Sequence, residues 1–204
     1  MILKDKSAIK RYLYHLGPET ISKIKESDTF ADFGCAKGQL LELLYEEFGK
    51  LKENLYGFDF SEDFITEAKK SFPNIYYIDF SNGKPPEQKF DLVFALDVIE
   101  HLENPSKFLE NIVAVMKKGS VFILSTPNIN SLFRFIQGSK WFGFKDKTHK
   151  AFYSHASLSR LIEKSGLKII KFKTISDTGF PFYNKLISSA CLGGQILLAA
   201  EKNE

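Results

Sequence analysis

Asp32-Phe33-Gly34-Cys35-Ala36-Lys37-Gly38 stands between a short apolar run, Thr29 to Phe33, and a helical pattern, Gln39 to Phe48, with Leu40, Leu43, Leu44 and Phe48 at core spacing. Gly34 and Gly38 permit backbone conformations that side chains forbid, so a ligand can come close to the main chain. The first amides of the helix then face that ligand. The spacing is neither a full G-x-G-x-x-G nor a phosphate loop ending in Gly-Lys-Ser/Thr. Asp32, at the head of the turn, suits a positive ammonium better than a pyrophosphate. The plainer alternative is an ordinary strand-to-helix turn.

The same alternation continues outward, which predicts an α/β fold around a mostly parallel sheet. Asn54 to Phe60 reads as a second strand, and Glu62 to Ser71 as a helix closed by Pro73. Ile75 to Ile78 is a third strand. Phe90 to Leu96 is a fourth, so apolar that it belongs at the centre of the sheet. Pro105 to Met116 is a helix with proline at its start, and Ser120 to Ser125 a fifth strand. After Pro127 comes an aromatic and basic stretch, Asn130 to Lys150. A helix over Ser157 to Ser165, a strand over Leu167 to Thr174 and a last strand over Gln195 to Ala200 follow. Residues 7 to 26 form one or two helices ahead of the sheet.

With 204 residues the chain suits one domain carrying a small lid. The expected division is 1–27 as an N-terminal helical segment, 28–127 as a ligand-binding half, 128–160 as a lid and substrate segment, and 161–204 as C-terminal sheet elements. A 44% hydrophobic and 26% charged composition supports a packed core and argues against disorder. A net charge of +3 is too mild for the dense phosphate contacts of a dedicated nucleic-acid binder. Two cysteines, Cys35 and Cys191, exclude a disulfide framework and a cysteine-only zinc site, and suit a reduced, cytoplasmic protein. Neither end reads as an export signal or a membrane span, the apolar Leu186 to Ala200 being interrupted by Gly193-Gly194-Gln195. A peripheral contact with lipid stays open.

Asp59 ends the second strand 21 positions after Gly38, close to the offset of about 20 at which a carboxylate accepts hydrogen bonds from ribose hydroxyls. Its alternative is a helix cap, which Ser61 could equally provide. Asp79-Phe80, after the third strand, offers a carboxylate for an exocyclic amine and a ring for an adenine face.

These residues resemble the class I S-adenosylmethionine-dependent methyltransferases. Asp32 to Gly38 is similar to their glycine-rich first motif, with Ala36 where glycine often stands. The run from Phe90 to Pro105, including Leu96-Asp97-Val98-Ile99-Glu100-His101, is similar to their fourth-strand motif, and Val121 to Asn128 to their fifth strand. The resemblance covers roughly residues 28 to 175. It implies a Rossmann-like seven-stranded sheet whose last strand runs antiparallel between its neighbours, with helices on both faces and a lid insertion. It implies S-adenosylmethionine as cofactor. Asp32, Gly34, Cys35 and Gly38 would surround the methionine part, and Asp59 would hold the ribose. Phe60, Asp79 and Phe80 would frame the adenine, and Ala95, Leu96 and Asp97 would close over the methionine end.

More loosely, the second half resembles ubiquinone-biosynthesis O-methyltransferases and small-molecule methyltransferases of sugar, glycan and lipid pathways. The acceptor is then expected to be a small molecule, anionic or lipid-linked, with Arg134, Trp141, Phe152 and Tyr153 as candidate contacts and no nucleic acid partner. Histidine is the usual base for a hydroxyl near neutral pH. His149, in the lid segment, is the first candidate and an anchor for the lid its alternative. His101, after the fourth strand, is the second, its alternative being a packing residue beside Glu100. His155 is expected to cap the following helix, His15 has no chemical context, and no spacing suggests a metal site. Phe180 to Tyr183 is a candidate second wall of the pocket.

Competing readings are N-methylation, methylation of nucleic acid or protein, and a cofactor-binding module without turnover. Against nucleic acid stand the mild charge and the lack of a base-flipping motif after the fourth strand. An NAD-dependent oxidoreductase is disfavoured because G-x-G-x-x-G is missing.

Overall fold

Phe90–Leu96 (β4) is buried on both faces in the computed structural model, which describes residues 5–80, 83–176 and 181–203, the side chains of 181–183 excepted. Strand alternation divides its side chains between two cores. Leu92 and Phe94 pack with Ile9, Leu13 and Leu40 on one side, while Val93 and Ala95 pack with Phe33, Phe108 and Ile112 on the other. Two-sided burial is why this run reads as continuously apolar.

Around β4 lie Phe30–Phe33 (β1), Leu55–Asp59 (β2), Asn74–Tyr77 (β3), Met116–Pro127 (β5), Leu167–Ile175 (β6) and Gln195–Lys202 (β7). The order is β3-β2-β1-β4-β5-β7-β6. All pairings are parallel except those of β7, which runs antiparallel between β5 and β6. The seven-stranded, mostly parallel arrangement is therefore as expected. The strand order reverses between β1 and β4, the place where such sheets open a crevice at their carboxyl ends.

Lys6–Leu16 (α1), Pro18–Glu26 (α2), Gln39–Phe48 (α3) and Glu62–Ala68 (α4) cover one face of the sheet. Pro105–Val115 (α5) and His155–Lys164 (α8) cover the other. Asn104 caps α5 by accepting from the Lys107 amide at 3.0 Å, with Pro105 in the first turn. His155 does not cap α8, contrary to the sequence reading. Ser154 does, in a reciprocal capping box with Ser157, while the His155 ring lies 4.1 Å from that of Phe172. Between β5 and α8, Leu132–Gln137 (α6) and Phe142–Lys145 (α7) form the small lid. Pro181–Ser189 (α9) precedes β7. Of the expected second wall, Phe180 and the side chains of 181–183 lie outside the described residues. No helix among the described residues is long and apolar enough to cross a membrane.

The β1–α3 turn contains Gly34 at φ +87°, Ala36 at +47° and Gly38 at +88°. A Cβ on Gly34 would lie 2.4 Å from Val98 Cγ2, so glycine is required there. Ala36 carries a methyl group in a left-handed conformation that disfavours L-residues by roughly 1–2 kcal/mol. Ala36→Gly should therefore raise stability by roughly 0.5–1 kcal/mol, the extra flexibility of the unfolded glycine offsetting part of the gain. Gly34→Ala should lower it by roughly 1–3 kcal/mol. Urea unfolding midpoints at constant m-value check both.

Candidate functional site

The β1–α3 turn is tied to the end of β2 by three hydrogen bonds, and Asp59 makes a fourth to the start of α4. The Gly34 and Cys35 amides both donate to Phe58 O, at 2.7 and 3.1 Å. Asp59 Oδ2 accepts from the Ala36 amide at 2.9 Å, and Asp59 Oδ1 from the Ser61 amide at 2.9 Å. Asp59 is thus a fully buried clasp between two loops at the crevice, and Ser61 takes the capping position of α4. Asp32 sits beside it, 4% exposed and with no hydrogen bond to its side chain among the described residues. Burial, reinforced by the charge of Asp59, pushes its carboxyl up to about 8.

Cys35 departs from expectation. Its thiol is buried in the core with Phe30 and Leu40, its amide is committed to Phe58 O, and burial pushes its pKa up, so the side chain is a packing group. Phe60 is 53% exposed at the end of β2 and offers a free ring face. Phe80 meets Phe60 edge-on at 6.1 Å but is itself buried against Phe33 and Phe108, while Asp79 is exposed. Ala95 is buried in β4, and Leu96 ends that strand half-buried. Asp97 follows at φ +58°, its Oδ1 accepting from Ser125 Oγ at 2.6 Å and from Gln195 Nε2.

Asp97 also lines a cavity of about 1170 Å³ that extends from the sheet toward the lid, α1, β6 and α9. Glu100, His101 and His149 lie on this cavity, as do Phe133 and Phe142 of the lid. The lid returns over the turn after β4, where the Lys150 and Ala151 amides donate to Glu100 O at 2.7 and 3.1 Å. That return lays the His149 ring 4.8 Å from the His101 ring, bringing together both candidate bases.

The hydrogen bonds define which nitrogen of each ring carries the proton in its neutral form. His149 Nδ1 lies 2.7 Å from Gly143 O, which can only accept, so Nδ1 carries the proton. Thr148 Oγ1 lies 2.5 Å from Asp146 Oδ1 and donates to it, the carboxyl being held well below its usual pKa first by that bond. The same oxygen, 2.9 Å from His101 Nδ1, is left to accept. In the neutral form of either ring Nε2 then presents the lone pair. Burial, then the neighbouring His149, holds the His101 pKa below its usual value.

The acceptor residues expected from sequence divide. Trp141 is fully buried, packed on Phe142, Phe144 and Phe152 with rings 5.0–5.9 Å apart, and a Cβ on Gly143 would strike its indole. It is the core of the lid, not its lining. Arg134 braces the lid through Nε to Ile129 O and stacks over Phe135. Phe152 bridges this core to His149. Tyr153 is buried under the lid, its bridge to Asn128 closing the lid's base. Burial, then the charge of Glu100, pushes its phenol up to about 12.

Three features escaped the sequence reading. The cations on the cavity are Arg11, Lys173 and Lys185 rather than Arg134. His15, assigned no context, lines the cavity from α1. Glu100, His101 and His149 converge although no metal-like spacing is visible. The adjacent Glu100-His101 pair on a turn was the available signal, but His149 stands 48 residues away in a lid of irregular pattern.

The reversal of strand order, the glycine turn and the antiparallel β7 define the Rossmann-like class that binds a nucleoside ligand at the carboxyl ends of β1 and β2. Residues 6–171 match the family model described as a methyltransferase domain, and the chain belongs to that family. It is 35% identical over 104 residues to a ubiquinone biosynthesis O-methyltransferase of Bradyrhizobium sp. (strain ORS 278), covering 48% of this chain and 40% of that protein. The chain spans about two fifths of the length of such curated relatives. Among solved structures it is similar to a SAM-dependent methyltransferase from Archaeoglobus fulgidus, with a TM-score of 0.69 and 23% identity, over 97% of this chain and 92% of that one. It is also similar to magnesium protoporphyrin IX methyltransferase from Synechocystis PCC 6803 with bound SAH, with a TM-score of 0.69 and 18% identity, over 97% and 83%. The buried pair of carboxyl groups, Asp32 and Asp59, is suited to a ligand that carries positive charge.

The raised Asp32 pKa makes the ligand-free protein pH-dependent. An unfolded aspartate loses its proton near 3.8 and the folded one near 8, so the unfolded state binds fewer protons between these values. Stability should be highest below pH 4 as far as this group is concerned, and fall as pH rises from about 4 to about 8. Asp32→Asn should remove that fall, which melting temperatures across the range will report.

Proposed function

We propose that this protein transfers a methyl group from S-adenosylmethionine to a hydroxyl of a small-molecule acceptor held in the cavity beneath the lid. The observation that carries the reading is the placement of two histidines, His101 and His149, on that cavity with Asp97, which follows β4. In this reading residues 28–127 bind the cofactor, 128–160 cover the acceptor, and 1–27 and 161–204 complete the walls.

S-adenosylmethionine supplies an electrophilic methyl group on a sulfonium. Asp32 would hold its ammonium, the Asp59 carboxylate its ribose and Phe60 its adenine. Asp59 is fully buried, its two oxygens accepting from the Ala36 and Ser61 amides, and in this reading their remaining lone pairs serve the ribose. The chain's remaining tasks are to orient the acceptor, exclude water and take the hydroxyl proton. His149 Nε2 takes the proton, with Nδ1–H anchored on Gly143 O and His101 beside it. Arg11, Lys173 and Lys185 on the cavity favour an acceptor with an anionic group such as a carboxylate or phosphate. The likeness to ubiquinone-pathway O-methyltransferases supports oxygen as the nucleophile.

Screening pools of phenols, sugar derivatives and lipid-linked intermediates for release of S-adenosylhomocysteine tests the reading. Turnover with an anionic hydroxyl compound is the expected result, and turnover confined to amines or macromolecules would contradict it. Asp59→Ala should weaken S-adenosylmethionine binding at least tenfold by calorimetry, for an interaction worth about 1.4 kcal/mol or more. His149→Gln should lower kcat about 100-fold, within the range for loss of a general base, with little change in cofactor affinity.

A further inference from the structure

We infer that the end of the acceptor cavity walled by α1, β6 and α9 is a subsite for a phosphate group of the acceptor, held by Arg11, Lys173 and Lys185. This deepens the methyl-transfer reading above and rests on it, since it takes the acceptor to lie in that cavity. The charges lining the cavity are segregated by element. Its carboxylates, Asp97, Glu100 and Asp146, come from the turn after β4 and from the lid. Its cations come from elsewhere: Arg11 from α1, Lys173 from β6 and Lys185 from α9. These three elements contain no Asp or Glu, although the chain carries 25.

Packing brings these cations to one end. α1 and α9 both lie against β6, so Arg11 and Lys185 reach the cavity beside Lys173. Other lysines of the same elements are already paired. Lys6 and Lys10 of α1 bridge Glu46 and Glu47 at 2.8 and 2.5 Å, and Lys171 of β6 bridges Glu19 at 3.6 Å. Lys173 and Lys185 have no ion pair within 4.0 Å among the described residues, and Glu19, which feels the charge of Lys173, is taken by Lys171. Ser176, just after β6, adds a hydroxyl to the same wall. Its Oγ accepts from the Gly194 amide at 3.1 Å and keeps its proton to donate.

Three cations and a hydroxyl donor exceed what a carboxylate can use. A carboxylate brings one charge and two oxygens, whereas a phosphate monoester brings nearly two charges near neutral pH and three terminal oxygens. The guanidinium fork suits two of those oxygens, and the lysines act as point charges around the group. Phe133 and Phe142 of the lid and Phe172 of β6 supply apolar wall. The volume of about 1170 Å³ exceeds the roughly 300–1,000 Å³ of ordinary small-molecule sites, leaving room for a body that reaches both charged ends. The acceptor that fits has its hydroxyl at the histidine end, a ring or hydrocarbon body, and a phosphate at the basic end. Segregated charge also sets its direction, because the reversed molecule would press its phosphate on Asp97, Glu100 and Asp146.

The test titrates the full chain by calorimetry with phenyl phosphate, benzoate and octyl phosphate. Phenyl phosphate should bind roughly tenfold more tightly than benzoate, its extra charge and oxygen being met by the second and third cations. Arg11→Gln, Lys173→Gln and Lys185→Gln should each weaken phenyl phosphate roughly 3- to 10-fold and benzoate less. Lys147→Gln, on the lid but off the cavity, should change neither. All four side chains are exposed, and melting temperatures report that the variants fold. Octyl phosphate binding roughly tenfold tighter than phenyl phosphate would assign the group to a lipid headgroup, and equal binding to a soluble phosphate ester; either upholds the subsite. No phosphate binding, benzoate binding equally well, or phosphate binding that survives all three substitutions would overturn it. A phosphate site that depends on the three cations, with no S-adenosylhomocysteine released from phosphorylated alcohols or phenols, would uphold the subsite and remove the methyl-transfer reading. Turnover of hydroxylated carboxylates that the three substitutions leave unchanged would keep that reading and remove the subsite.

Discussion

Two carboxylates buried side by side at the edge of a parallel sheet set the terms for the rest of this molecule. Asp59 is compensated by the amides of Ala36 and Ser61, and in accepting them it holds the glycine turn against β2. Asp32 has no such compensation and keeps its proton to about pH 8. A fold that served stability alone would place an apolar residue there, as it does at neighbouring Ala31 and Phe33. The uncompensated acid belongs with a cationic ligand, and the left-handed turn beside it brings the main chain close enough to hold one.

A second constraint acts across β4. This strand is followed by Asp97 and then by Glu100-His101 in the next turn, so the glycine-turn side of the crevice and the lid side share one short segment. The lid does not float above it. Asn128 pairs with Tyr153, the Ile129 amide donates to Tyr153 O, and Glu100 O receives the returning chain, so both ends of the lid are hydrogen-bonded to the sheet's edge. Trp141 fills the lid from within, and the aromatic wealth of residues 133–152 serves chiefly to give this small insertion a core of its own.

What was legible in the sequence follows from what is local. Strand β4 could be read because burial on both faces demands an unbroken apolar run, and α5 because Asn104-Pro105 is a complete start signal. The β1–α3 turn could be read because its glycines answer to backbone geometry. The acceptor side was less legible, since its residues meet only through tertiary contacts. His15 and Arg11 reach the cavity because α1 packs near β6 and β7, which nothing in residues 6–16 announces. Trp141 has the right chemistry for an acceptor but is turned inward by the lid's own packing, and Arg134 is held over the exposed Phe135 ring instead. Cys35 sits within the glycine motif, yet its thiol points into the core beneath Gly57, on the opposite side of the sheet from Phe33, because the chain leaves the strand through the left-handed Gly34.

The proton inventory of cofactor binding bears most directly on the central claim. At pH 6.5 Asp32 holds a proton, and an ammonium placed beside it would drive that proton off. Calorimetry of S-adenosylmethionine binding in two buffers of different ionisation enthalpy should therefore report release of ~1 proton per complex. Binding with no proton released, or no binding at all, would contradict the assignment of this buried acid to the cofactor's positive charge.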